Sequence, residues 1–284
     1  FYHLSVNEIH FPKSLIELKD GWCNYTHNLA KITISPSSGQ FMLEDGKYLL
    51  GKSDRNNDEF DILLFAPRDI KEISIPSNVT KISIGAVCSC HKLRKVEIPT
   101  NSNLKIIGNN AFSAANIDEL FIPASVTKTG QNAFKLCFIR KIVIQQNSNL
   151  QIIGKSAFSN TKIEEISIPP SVTKICDRAF FQCESLKKVE ITKNSNLQII
   201  GECAFYSSKI NEIYIPTNVT KICDEAFRLC SKLKKVEIPT NSNLQTIGKN
   251  AFYSALIEEI YFPESLIELK EGWCRCTEKL IRII

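Results

Sequence analysis

No run of 18 apolar residues occurs in this 284-residue chain, so no segment is long enough to cross a bilayer as a helix. No leader with a basic start, an apolar middle and a small-residue cleavage site opens it. The chain begins at Phe1 and stops inside a repeat, which reads as a piece of a longer protein. Charge of one sign is missing too: 35 Lys and Arg stand against 30 Asp and Glu, a net +5. Binding driven by phosphate neutralisation needs a one-signed patch, so nucleic acid is not expected as a partner. Histidine is scarce, and His3, His10, His27 and His91 all lie in the first third, away from most of the repeated cysteines. No Ser/His/Asp or Cys/His grouping suggests itself. The chain is expected not to be an enzyme and to hold no cofactor and no metal.

What is there is a period. The stretch 171–192, SVTKICDRAFFQCESLKKVEIT, returns within 217–240 as TNVTKICDEAFRLCSKLKKVEIPT, with a sister unit containing NSNL between them. Prolines, or residues standing in for them, fall at 76, 99, 123, 145, 169, 192, 216, 239 and 263. The spacing alternates between 23 and 24 residues, with a single 22 that marks a one-residue deletion after Cys137. Such a unit cannot bury its apolar face alone, and stacked units share one core. In L-x-x-V-x-I, as at Leu186, Val189 and Ile191, period-two alternation predicts a strand with those residues inward. A second short strand is expected over Val172 to Ile175. A helical turn is expected to carry Ala179, Phe180 and Cys183. Eleven cysteines recur at fixed repeat positions: Cys90, Cys137, Cys183 and Cys230 at one, Cys176 and Cys223 at another. Like positions two coils apart are ~10 Å apart, too far for a bridge, which needs Cα atoms within about 7 Å. Buried reduced thiols are expected, and Cys176–Cys183 and Cys223–Cys230 are the pairs to check.

Residues 11–35 read as a first repeat with a near twin at 262–284. Residues 36–69 break the period and read as an inserted β-hairpin, with Asp45-Gly46 at its turn, plus a further strand. The regular array then covers 70–284. Within the insertion, Gly46–Ser53 fits the phosphate-loop pattern, but it sits on a hairpin turn and strand and leads into a poor helix start, so nucleotide is not expected there. Asp54, Asn56 and Asp58 begin like a calcium loop, but Glu59 and Phe65 stand where its Gly and bidentate Glu belong. Cys88, Cys90 and His91, and Cys274 with Cys276, have no second ligand pair at zinc spacing.

The motif xxVTxIxxxAFxxCxxLxxVxIP resembles the Treponema pallidum-type, or BspA-like, leucine-rich repeat. Val126-Thr127-Lys128, Ala133-Phe134 and Cys137 match it, as do Val219 to Ile222, Ala226-Phe227, Cys230, Leu233, Val236 and Ile238-Pro239. The NSNL alternation and the segment 41–76 look similar to the surface antigens of trichomonad parasites. The resemblance implies an α/β repeat fold: one right-handed leucine-rich-repeat solenoid over 1–284, with one long parallel β-sheet, short second strands and single helical turns. It implies a cell-surface or secreted recognition and adhesion ectodomain without shared catalytic residues. Its partner would be a protein or glycan, on a host cell or in matrix. An intracellular leucine-rich-repeat scaffold is the alternative that eleven cysteines leave open, and the open ends of a solenoid leave self-association open too.

Outward strand residues line up coil by coil. One row reads Glu72, Lys95, Glu119, Lys141, Glu165, Lys188, Glu212, Lys235, Glu259 and Arg282, alternating in sign at every step. Parallel neighbours ~4.8 Å apart would pair opposite charges and penalise a slip by one coil. A second row reads Ser74, Glu97, Phe121, Val143, Ser167, Glu190, Tyr214, Glu237 and Tyr261. Exposed Phe121, Tyr214 and Tyr261 beside Glu97, Glu190 and Glu237 are the candidate partner-binding residues. Asn24, Asn78 and Asn218 head N-glycosylation sequons. Asn103, Asn149, Asn196 and Asn243 of the NSNL segments are expected to cap tight turns.

Overall fold

The computed structural model describes residues 6–24, 26–35, 39–56, 58–277, 280, 282 and 283. His3 and the side chain of Arg282 lie outside what is described. The chain winds as a β-solenoid of about 11 turns. Alternation builds the first arm of each coil: Lys188–Ile191 runs exposed, buried, exposed, buried, with Leu186, Val189 and Ile191 in the core. A two-residue strand such as Lys174–Ile175 makes the second arm, and the Ala-Phe segment makes the third.

The sheets reverse the expected hierarchy. The short second strands, not the longer ones, form the continuous sheet. Twelve strands run in order from Glu268–Leu269 back to Lys81–Ile82, then Ile62–Phe65, Tyr48–Gly51 and Phe41–Glu44. The last two form the hairpin, with positive φ at Asp45 and Gly46. Backbones approach closely on this side: a Cβ on Gly154 would clash with the Thr129 carbonyl oxygen. The longer strands divide instead into separate hydrogen-bonded groups. Where a Lys strand follows a Glu strand the coils close tightly, with Arg94 N–H to Lys71 O and Lys187 N–H to Glu164 O both at 2.8 Å. At the reverse step, Asn211 N–H to Lys187 O is 3.3 Å and Glu258 N–H to Lys234 O is 3.5 Å. The loose steps are those bridged by the 24-residue NSNL coils, whose additional residue shifts the arriving strand.

No helix occurs among the described residues, so the α/β assignment and the single helical turns are corrected to an all-β architecture. The Ala-Phe arm is a run of overlapping turns. Ser113 N–H reaches Asn110 O at 3.0 Å and Ala115 N–H reaches Phe112 O at 2.9 Å, with Asn110 and Ala114 at positive φ. That alternation aims every second N–H at the next coil, as Phe112 N–H to Ala133 O at 2.8 Å. A helix would instead spend those donors within its own coil. The arm also stacks Phe112, Phe134, Phe158, Phe180, Phe205, Phe227 and Phe252, each ring 5.2–5.4 Å from the next. Beside them Cys137, Cys183 and Cys230 donate their thiols to Phe112, Phe158 and Phe205 carbonyls at 2.9, 3.0 and 3.2 Å. All eleven cysteines are free, including Cys176 with Cys183 and Cys223 with Cys230.

Trp22 of the first coil packs against Phe11 and Phe65. Buried Arg68 ties that coil to the array. Its guanidinium lies over the Phe65 ring and donates to the carbonyls of Cys23 and Thr26 on one side and of Gly85 and Ala86 on the other. With the Ala66 carbonyl, five carbonyls around one cation offset the penalty of burying it.

Candidate recognition surface

Strand register sets the charge row face to face: Glu72 opposite Lys95, Glu119 opposite Lys141, Glu165 opposite Lys188, Glu212 opposite Lys235 and Glu259 opposite Arg282. The short ion pairs run elsewhere. Lys95 meets Glu97, Lys188 meets Glu190 and Lys235 meets Glu237 at 3.1 Å, each two residues along its own strand. Across strands the row contributes Lys141 to Glu119 at 4.0 Å, and its neighbour row contributes Arg140 to Asp118 at 3.7 Å and Lys187 to Glu164 at 3.3 Å. Ser74 and Ser167 hydroxyls donate to Glu97 and Glu190 from the strands opposite. Hydrogen bonds from lysine, then from serine, hold the Glu97 and Glu190 carboxyls below the ordinary glutamate range, and the same carboxylates raise Lys95 and Lys188.

The aromatics of the second row, Phe121, Tyr214 and Tyr261, are half-buried rather than exposed. Burial, then the Glu237 carboxylate, pushes the Tyr214 phenol up. The exposed apolar member of that row is Val143, 45% accessible and paired with Phe121. Its strand, Lys141–Ile144, pairs with Glu165–Ile168 only at Lys141 and Glu165. Beyond that point the strands part. Ile142 and Ile144 become half-buried, and a depression of about 400 Å³ opens between Lys141, Val143, Glu165, Ser167, Lys188 and Glu190.

The sequons diverge. Asn24 is buried, its Oδ1 2.6 Å from where a Cβ on Gly85 would stand, so a glycan there would need the first coil opened. Asn78 is half-buried and Asn218 exposed, and their side-chain amides donate to Phe60 O at 3.2 Å and Ser195 O at 2.8 Å. In the NSNL segments the serine caps the turn, not the asparagine. Ser102, Ser148, Ser195 and Ser242 hydroxyls accept the N–H groups of Leu104, Leu150, Leu197 and Leu244, because a hydroxyl reaches two residues on. The asparagine that follows gives its backbone N–H to the preceding coil, as Asn103 does to Ser77 O.

In the insertion, Ser53 spends its N–H and hydroxyl on Asp61, and Gly51 lies in a strand against Leu64. Asp54 Oδ1 accepts the Asn56 N–H at 2.9 Å, closing the acidic loop on itself. Cys88 and Cys90 are buried while His91 is exposed. Among the described residues no group of three His, Cys, Asp or Glu is placed to hold a metal.

Six copies of the BspA type leucine rich repeat region match residues 61–175 and 151–277. The chain belongs to that family. No curated protein matches it. A leucine-rich-repeat protein of Eubacterium ventriosum superposes with a TM-score of 0.50 at 21% identity, over 96% of this chain and 59% of its own. The pneumococcal vaccine antigen PcpA gives 0.49 at 19%, over 98% and 61%, and the T. pallidum leucine-rich-repeat protein gives 0.49 at 20%, over 78% and 88%. The chain thus spans about three-fifths of the length of the first two. At these identities the likeness concerns the fold. These structures are bacterial, and the trichomonad likeness rests on the sequence alone.

This BspA-type chain also carries a feature on its turn edge that its sequence did not flag. Phe181 and Tyr206 stack at 4.9 Å, and Arg228 lies over Tyr206 at 6.0 Å and Tyr253 at 4.7 Å while pairing with Glu225 at 2.9 Å. The signal was the residue after Ala-Phe, which is Phe, Tyr, Arg and Tyr in four successive coils. These faces cover one another, so the strip stiffens the edge.

Proposed function

We propose that this chain is a non-enzymatic recognition ectodomain, at the cell surface or secreted, that binds a protein or glycan partner through its strand face. The observation that carries this reading is the second outward row. Half-buried Phe121, Tyr214 and Tyr261 share it with Glu97, Glu190 and Glu237, whose carboxylates are held by lysine neighbours, and at Glu97 and Glu190 by serine as well. Rigid aromatics beside fixed charge suit an interface, since little entropy is lost on docking. A host-cell or matrix partner and an adhesive role belong to the same reading. Tyr214→Ala with Tyr261→Ala is expected to weaken binding to a verified partner by about tenfold or more, with the array still folded. Unchanged affinity would remove these residues from the interface.

The alternative, an intracellular scaffold, is favoured by one observation, the eleven free thiols. Mass spectrometry of native material separates the two. Glycans at Asn78 or Asn218 place the protein in the secretory route, and bare asparagines with all thiols free favour the cytosol.

A further inference from the structure

We propose that the coil over residues 124–146 is the principal docking point on this face, and that it takes a segment of a partner protein carrying an acidic residue next to an apolar one. The inference rests on the recognition reading above and deepens it. Four independent features meet in this coil.

It is the coil shortened by one residue, so Phe138 alone fills the place that His91-Lys92, Glu184-Ser185 and Ser231-Lys232 fill elsewhere. It is where exposed apolar side chains gather. Among the described residues seven large apolar ones are exposed, and three of them lie here, Leu136 at 57%, Phe138 at 44% and Val143 at 45%; Ile267 and Leu269 belong to the last coil, and Ile16 and Ile106 stand alone. The three run along one coil, from the turn edge onto the strand face. Its strand keeps its inward residues half-exposed: Ile142 and Ile144 are half-buried where Val96, Ile98, Val189, Ile191, Val236 and Ile238 of the matching strands are buried, although strands part at every NSNL step.

The fourth feature is charge. Lys128, Lys135, Arg140 and Lys141 are its charged residues, with no Asp or Glu between 124 and 146. The matching coils around Lys95, Lys188 and Lys235 each carry the glutamate that occupies their lysine: Glu97, Glu190 and Glu237. Here Val143 stands in that position, and Lys141 is left with Glu119 at 4.0 Å. On the other side of the apolar ridge, Arg94, Asn116, Asp118, Phe138 and Arg140 line a depression of about 330 Å³. Arg140 lies over the Phe138 ring at 5.3 Å and only 3.7 Å pairs it to Asp118. An apolar ridge bounded by under-neutralised cations matches a segment that supplies an apolar side chain and a carboxylate together. Leu136 and Val143 offer a sugar nothing to hydrogen-bond, which favours a protein segment over an acidic glycan.

The test is selection of a random peptide library, displayed on phage, against the full chain, followed by titration of synthetic peptides from the enriched pool. Val143→Glu restores the residue that other coils carry, so it leaves the fold intact, and Phe138→Ser supplies a second variant. Enriched peptides are expected to place Asp or Glu beside an aromatic or aliphatic residue and to lose about tenfold or more in affinity for each variant. Peptides that lose affinity for Tyr214→Ala with Tyr261→Ala, and not for Val143→Glu, would overturn this placement while leaving recognition by the strand face standing. Peptides without acidic enrichment would overturn the partner chemistry. A library that yields nothing specific, while acidic glycans on an array bind in a Phe138-dependent way, would overturn the protein partner. A chain that captures neither peptides nor glycans would overturn both readings.

Discussion

Lys188 takes its carboxylate from Glu190, two residues along its own strand, although Glu165 stands directly across the sheet. Lys95 and Lys235 do the same with Glu97 and Glu237. The alternating row therefore fixes register through its opposed signs while its short contacts run along the strands. That division gives Val143 its meaning, because it removes the along-strand partner from one lysine only.

Val143→Glu is expected to give Lys141 a carboxylate partner two residues along its own strand, as Lys95, Lys188 and Lys235 have, and so to move its ammonium signal. Thermal stability should hardly move, because the pair is exposed and screened. Lysine side-chain NMR of the two proteins at one pH checks it. An unmoved Lys141 would mean that the along-strand contact does not form.

Phe180 lies between Phe158 at 5.4 Å and Phe205 at 5.2 Å, fully buried. Phe180→Ala is expected to destabilise by ~3–5 kcal/mol. In a stack where each coil meets only its neighbours, the cavity weakens one interface, so calorimetry should resolve the melt into two transitions. A single transition shifted by less than Phe121→Ala would show that the ring column is not the spine of the array.

Burial pushes the Cys183 thiol up to about 11 and Cys230 to about 12, against an ordinary 9.0. A thiol whose folded value is raised contributes stability below its unfolded pKa and loses it as pH climbs through the folded one. Stability should therefore decline from about pH 9 upward. At neutral pH, iodoacetamide should label exposed Cys276 first and leave Cys137, Cys183 and Cys230 unmodified until unfolding. Early labelling of Cys183 in folded protein would contradict the packing.

Asp61, 6% exposed, has burial working to raise its carboxyl, yet hydrogen bonds from Ser53 and Thr80 hold it below the ordinary 3.8. A depressed carboxyl contributes stability above its unfolded pKa and loses it as pH falls through the folded one. The loss should begin below about pH 4 and be absent in Asp61→Asn. At pH 7 that variant should lose ~1–3 kcal/mol. Equal acid sensitivity in both proteins would contradict this anchoring.

The solenoid was legible because L-x-x-V-x-I alternates with period two and the period itself is nearly fixed. The third arm was not. Ala179, Phe180 and Cys183 are spaced as one helical turn would space them, and the left-handed residues that make it a run of turns include Arg178, Glu225 and Leu229, which do not announce positive φ as Gly would. The dominant sheet was hidden because two-residue strands gain their hydrogen bonds only from neighbouring coils. Asn24 looked like any sequon, since nothing local reveals that Gly85 closes over it. Arg68 had no sequence signal, because its partners are carbonyls from two distant coils. Val143 was visible in its row, but its weight came from the along-strand pairs it interrupts.

Hydrogen exchange on the chain with and without the tightest selected peptide tests the central claim most directly. The account predicts new protection at the amides of 138–144 and of Glu165–Ile168, where the strands part. Protection confined to the turn edge around Phe181, Tyr206 and Tyr253, with 138–144 unchanged, would contradict it.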